Sequence, residues 1–193
     1  MSIKKYAFLA ALITASTGSV YAAEMNAGTI HFTGLIIEPS CTIEGDNGTD
    51  QTVPLGTYPT TLFTTPGTES ELIPFTITLV DCPLKSDGLP SVQLTFNGPT
   101  ALTGSTTLMD VSQITTSAGQ AATGVGIAIS PADDDTALIT MDGTEGQAYI
   151  DLPIRVEDKI SMNFNARYKS FADAADIKPG AADGDLTVNI LYR

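Results

Sequence analysis

From residue 160 onward the chain carries two segments in which apolar and polar side chains alternate with a period of two. Ile160, Met162, Phe164, Ala166 and Tyr168 form one such series, and Leu186, Val188, Ile190 and Tyr192 form another after a loop of small and acidic residues. Successive residues of an extended strand point to opposite faces, so each series places its apolar set on one side of a sheet. The pattern recurs upstream in Phe75, Ile77 and Leu79 within 73–82, in Val92, Leu94 and Phe96 within 91–97, and in Val125, Ile127 and Ile129. Ile150, Leu152 and Ile154 repeat it within 148–156, where Pro153 restricts the segment to an edge or a bulge. Shorter candidates lie at 53–55 and 137–141. Turn signals separate these segments: Asn47-Gly48, Pro66-Gly67, Asp87-Gly88, Asn97-Gly98, Asp142-Gly143 and Asp183-Gly184. About seven or eight strands and no helical period beyond residue 22 predict an all-β sandwich of immunoglobulin type, two sheets sharing one apolar layer.

The chain starts with the pattern of a secretory leader. Lys4 and Lys5 form a charged start, an apolar stretch follows, and Val20-Tyr21-Ala22 supplies a small-residue cleavage site. The apolar run of about ten residues is well short of the roughly 20 that a membrane-spanning helix needs. Residues 1–22 are expected to be removed, leaving 171 residues in a single domain. Loss of the two lysines moves the formal charge from −13 to −15, which argues against nucleic acid as a partner.

An exported chain with two cysteines most simply pairs them, here Cys41 with Cys82. Closing a loop of about 40 residues stabilises the fold by roughly 4 kcal/mol in the chain-entropy model. A redox role would want closer spacing, and a zinc site would want more ligands than two cysteines and the lone His31 can supply. No catalytic function, metal or cofactor is expected. A hydrolytic triad would have to use His31, and no G-x-S-x-G elbow accompanies it. Asp133, Asp134 and Asp135 are not followed by the residues of a calcium loop, and Asn47-Gly48-Thr49 is a turn signal before it is a glycosylation acceptor.

Two features fit a closed sandwich poorly. A strand-patterned segment, predicted as strand over 29–43, precedes Cys41 with no tight hairpin turn after it; Gly28, Ile30, Phe32 and Ile36 share one face. The last predicted strand ends at the final residues, so a sandwich needing one further strand would have to obtain it elsewhere. The chain also has no Trp, and Cys41 falls in the first strand rather than the second, unlike an antibody domain.

The GTIHFTG segment ahead of Cys41, the pair Asp81-Cys82, the run Ala166-Arg167-Tyr168, Gly180 at the fourteenth position from the end and the penultimate Tyr192 stand in a specific order. In these residues the chain resembles the pilin subunits of chaperone–usher fimbriae, most closely the major subunit of type 1 fimbriae. The resemblance covers the whole mature chain. It implies an incomplete immunoglobulin-like sandwich that lacks its last strand and is completed by donor-strand exchange, with residues 23–35 as the N-terminal donor extension and 36–193 as the pilin domain. Gly28, Ile30 and Phe32 would enter a neighbour's groove, Gly28 facing a shallow pocket. Leu186, Val188, Ile190 and Tyr192 would line the receiving edge, Tyr168 would buttress it, and the Arg193 carboxylate would be gripped by the chaperone. The implied partners are a periplasmic chaperone, an outer-membrane usher and neighbouring subunits in a homopolymer, with host surface glycans as a further class. The implied function is a structural subunit at the cell surface supporting adhesion. A minor adaptor subunit or a glycan-binding adhesive module stays open as the alternative, while a tip adhesin would require an additional lectin domain.

Overall fold

The computed structural model describes residues 28–38, 40–111 and 120–192. The leader expected at 1–22, the first part of the expected extension and Arg193 lie outside them. The chain divides into two units, Met1–Ile36 and Ile37–Arg193. In the first, residues 28–36 form no regular secondary structure. Ile30 and Phe32 are 79% and 91% exposed, and Leu35 and Ile36 are exposed as well. Among the described residues the strand expected over 29–43 is therefore absent as far as Cys41, and only Thr42–Glu44 is a strand. Alternation prepares a segment to be a strand, but a ladder requires a partner backbone.

The second unit contains β1 (Thr42–Glu44), β2 (Ile73–Val80), β3 (Ser91–Asn97), β4 (Met109–Asp110), β5 (Val125–Pro131), β6 (Ala148–Asp151), β7 (Ile160–Ser170) and β8 (Thr187–Tyr192), with a 3-10 turn at Thr60–Leu62. They form a five-stranded sheet in the order β1-β2-β7-β5-β4 and a three-stranded sheet in the order β6-β3-β8. Every pairing is antiparallel. The expected segments at 53–55 and 137–141 do not pair as strands, although Ile139 N–H donates to Ile129 O at 2.8 Å. The predicted 148–156 strand stops at Asp151, two residues before Pro153, which has no N–H to give a ladder.

The two sheets meet through Phe164 of β7 and Phe96 of β3, both 0% exposed, whose rings pack edge to face with centroids 5.6 Å apart. Phe75 of β2 stacks on Phe164 at 5.6 Å. Fully burying a phenylalanine contributes roughly 1.5–3 kcal/mol, and Val92, Leu94, Ile77, Leu79 and Ile129 extend the same layer. The register also fixes the two ends of the body. Cys41, the β2–β3 loop, the β6–β7 loop and the end of β8 share one end, because Thr42 faces Val80, Leu79 faces Ile160, Ser91 faces Asp151 and Val92 faces Tyr192. The segment leading into β2, the residues after β7 and the start of β8 share the other, where Ile73 faces Ala166 and Asn97 faces Thr187.

Candidate functional site

β8 is the outer strand of its sheet. It pairs with β3 in a register that sets Val188 opposite Phe96, Ile190 opposite Leu94 and Tyr192 opposite Val92, all six on the inner face. Directly opposed residues of one layer ought to be equally covered, yet the three on β3 are fully buried and the three on β8 are only half-buried. Among the described residues no strand pairs with the far edge of β8, so its backbone donors and acceptors form an open template. Leu186 lies one residue ahead of β8, half-buried against the same core.

The lower end of this edge is anchored. Cys41 forms the disulfide with Cys82, and the Cys41 N–H donates to Tyr192 Oη at 2.8 Å. Burial pushes the Tyr192 phenol up from its ordinary pKa, against an opposing pull from the backbone of Cys41 and Ser40. The approach to the upper end is shaped by Gly180. A Cβ there would stand 2.2 Å from Gln120 O, so only glycine lets the chain pass against residues 120–122. Ala122 N–H then donates to Ala181 O at 2.8 Å.

Tyr168 lies on β7, in the other sheet from β8. Its hydroxyl donates to Ala182 O at 3.1 Å and its ring meets Tyr58 edge-on at 6.1 Å, so it holds the run-up to β8 rather than β8 itself. Burial, then the charge of Asp183 and the neighbouring Tyr58, push its phenol up. Beside it opens a cavity of about 560 Å³ walled by Gly56–Thr60 on one side and Lys178–Asp183 on the other, with Phe63, Val125 and Ile177 at its apolar base. The segment 53–58 has Leu55 buried and Val53 and Tyr58 half-buried in the core. Among the described residues none of its amides or carbonyls is bonded to another backbone. Backbone groups at the margin of a core need a partner, and among the described residues neither this segment nor the outer edge of β8 has a backbone one.

The structure thus brings Val188, Ile190 and Tyr192 together on one face with Leu186 beside them, and Tyr168 onto the loop that leads there. Gly28, Ile30 and Phe32 belong to the separate N-terminal unit, and Arg193 lies outside the described residues. Sequence reasoning missed the role of Arg167. Its guanidinium is buried on the outer face of the five-stranded sheet, with Nε 2.8 Å from Glu69 Oε2, Nη1 donating to Ser130 Oγ at 3.0 Å and Nη2 donating to Asp135 O at 2.6 Å. Lys169 Nζ donates to Glu69 Oε1 at 2.7 Å. Burial pushes the Glu69 carboxyl up, but the hydrogen bonds and charges of Lys169 and Arg167 outweigh it and hold the group below its ordinary value. A charged residue in an otherwise outward-facing register was the only signal.

The family model described as Fimbrial protein matches residues 30–193. The chain is 36% identical over 186 residues to the uncharacterized fimbrial-like protein SfmA of Escherichia coli K12, an alignment covering 96% of this chain and 95% of that protein. It is 35% identical over 166 residues to the fimbrial subunit type 1 of Salmonella typhimurium, covering 86% and 83%. Among solved structures, a subunit of a chaperone–usher pilus superposes with a TM-score of 0.58 at 19% identity, covering 90% of this chain and all of that one.

Proposed function

Because the chain belongs to the fimbrial protein family, we propose that it polymerises by lending its N-terminal segment as a strand to the β8 edge of the next copy. Members of this family are non-enzymatic structural subunits carried to the cell surface as fimbriae. The observation that carries the strand-exchange mechanism is the unequal burial across β3 and β8. A strand laid beside β8 would cover Val188, Ile190 and Tyr192, satisfy the open backbone edge and reach the unpaired segment 53–58.

Residues 28–36 suit that role. They are strand-patterned, apolar on one face and outside any regular secondary structure, with Ile30 and Phe32 exposed. Burying those two side chains contributes roughly 3–6 kcal/mol before the cost of ordering the segment. Until a neighbour supplies the strand, an exposed edge invites aggregation, which is the physical need for a periplasmic chaperone before the usher hands the subunit to the filament. Adhesion by the finished fimbria is part of the same proposal.

Deleting residues 23–35 from the mature chain is the direct test. The truncated subunit should be secreted into the periplasm, form its Cys41–Cys82 bridge and still accept a strand, but fail to extend filaments. Filaments of ordinary length from the truncated chain would refute the donor role.

A further inference from the structure

The two ends of the body carry complementary exposed features. At the end bearing Cys41, the β6–β7 loop presents Ile154 and Val156, 76% and 71% exposed, on either side of the exposed Arg155. Among the described residues Arg155 is the one basic side chain with neither an ion pair nor a hydrogen bond; Lys85, Lys159, Arg167 and Lys169 are in ion pairs, and Lys178 Nζ donates to Ala175 O. At the opposite end, ahead of β2, a hollow of about 560 Å³ is lined by Tyr58, Pro59, Thr61, Leu62, Glu69 and Glu71, among others. Its floor is apolar and two of its rim groups are carboxylates. Glu69 is taken up by Arg167 and Lys169, whereas Glu71 is exposed and joins no ion pair among the described residues.

We propose that the Ile154-Arg155-Val156 tip of one copy docks into this hollow on the next, with the two aliphatic side chains against Tyr58 and Leu62 and Arg155 paired to Glu71. The inference rests on the strand-exchange proposal above, which brings the Cys41 end of each body toward its neighbour: Phe32 and Cys41 are nine residues apart, at most about 30 Å of extended chain. Tip and hollow are different surfaces at opposite ends of one body. A contact of that kind is heterologous, so it repeats along a line instead of closing into a dimer. The tip offers apolar surface and a positive charge, and the hollow offers apolar surface and a negative one, so tip-to-tip contact is disfavoured by Arg155 facing Arg155.

The test is made on fimbriae assembled in cells from the full chain with its own secretion apparatus. The charge reversals Arg155→Glu and Glu71→Arg should each lower the temperature at which the multimer ladder collapses on a denaturing gel, and the double reversal should restore it. A Thr61→Cys, Val156→Cys chain should give multimers that survive boiling and vanish with reductant. Single and double reversals that behave alike, or a ladder that forms normally while the cysteine pair yields no boil-resistant multimers, would overturn the tip contact and leave strand exchange standing. An unaltered chain that gives no ladder before boiling would instead sink strand exchange itself.

Discussion

β7 and β8 are both long alternating strands rich in apolar residues, yet they sit in opposite circumstances. β7 has a hydrogen-bonded neighbour on each side and buries Phe164 and Ala166, whereas β8 has one neighbour among the described residues and leaves Val188, Ile190 and Tyr192 half-buried. The residue types are similar, so the difference is one of topology rather than of composition. Burial is concentrated where the layer is closed on both sides, and the edge proposed to accept another chain lies where it is not.

Truncating each strand at its centre should break or sharpen this contrast. Phe164→Ala should cost about 3–5 kcal/mol in denaturant melts of the refolded subunit, and the same amount when a synthetic peptide of residues 23–35 is added. Ile190→Ala should cost only about 1–2 kcal/mol without the peptide and about 2–5 with it, because only then is the side chain fully covered. Equal losses for Ile190→Ala in both conditions would mean that the edge is already complete.

A smaller effect is expected at the anchored end. Tyr192→Phe removes the acceptor for the Cys41 N–H and should cost about 0.5–1.5 kcal/mol. The same site gives an alkaline signature. Its phenol is raised in the folded protein, so the folded state keeps its proton longer than the unfolded one. That contribution is fully present below the ordinary tyrosine value of about 10 and is lost as pH rises through the folded value. Melts of the Tyr192→Phe chain should therefore lose less stability between neutral and strongly alkaline pH than melts of the unaltered chain, Tyr168 retaining the remainder.

The smallest effect belongs to Glu69. Its carboxyl is lowered in the folded state, so its contribution is present above the unfolded value of about 4.3 and fades as pH falls through the folded one. The group is partly solvated, and solvent screening limits the stake. Glu69→Gln should flatten the acid limb of the stability curve slightly, measured as the denaturant midpoint at mildly acidic pH.

What could be read in advance follows from what alternation reports. The period of two tells which side chains face an apolar layer, and it located β2, β3, β5, β7 and β8, whose neighbours lie within the same chain. It says nothing about whether the amides have a partner. Among the described residues of the expected segments 29–41, 53–55 and 137–141 none is in a strand, because none forms a paired ladder; 137–141 is held only by single bonds such as Ile139 N–H to Ile129 O. The reverse holds for β4, whose two residues carry no readable period but are held by pairing with Ile127 and Gly126. Tyr168, Gly180 and Tyr192 stood out as residues, yet their work, a hydroxyl on Ala182, a clearance at Gln120 and a phenol on Cys41, depends on contacts between distant segments that no local pattern encodes.

The bond between Cys41 and Tyr192 has a mechanical consequence. If the N-terminal segment lends its strand to a neighbour as proposed, the pull on each subunit of a fimbria under tension would enter its body at Cys41, just where the disulfide leads to the five-stranded sheet and the phenol leads to β8. Force would thereby be divided between both sheets at the point of entry and run along the strands, so that many ladder bonds would resist in shear together instead of opening one after another like a zip.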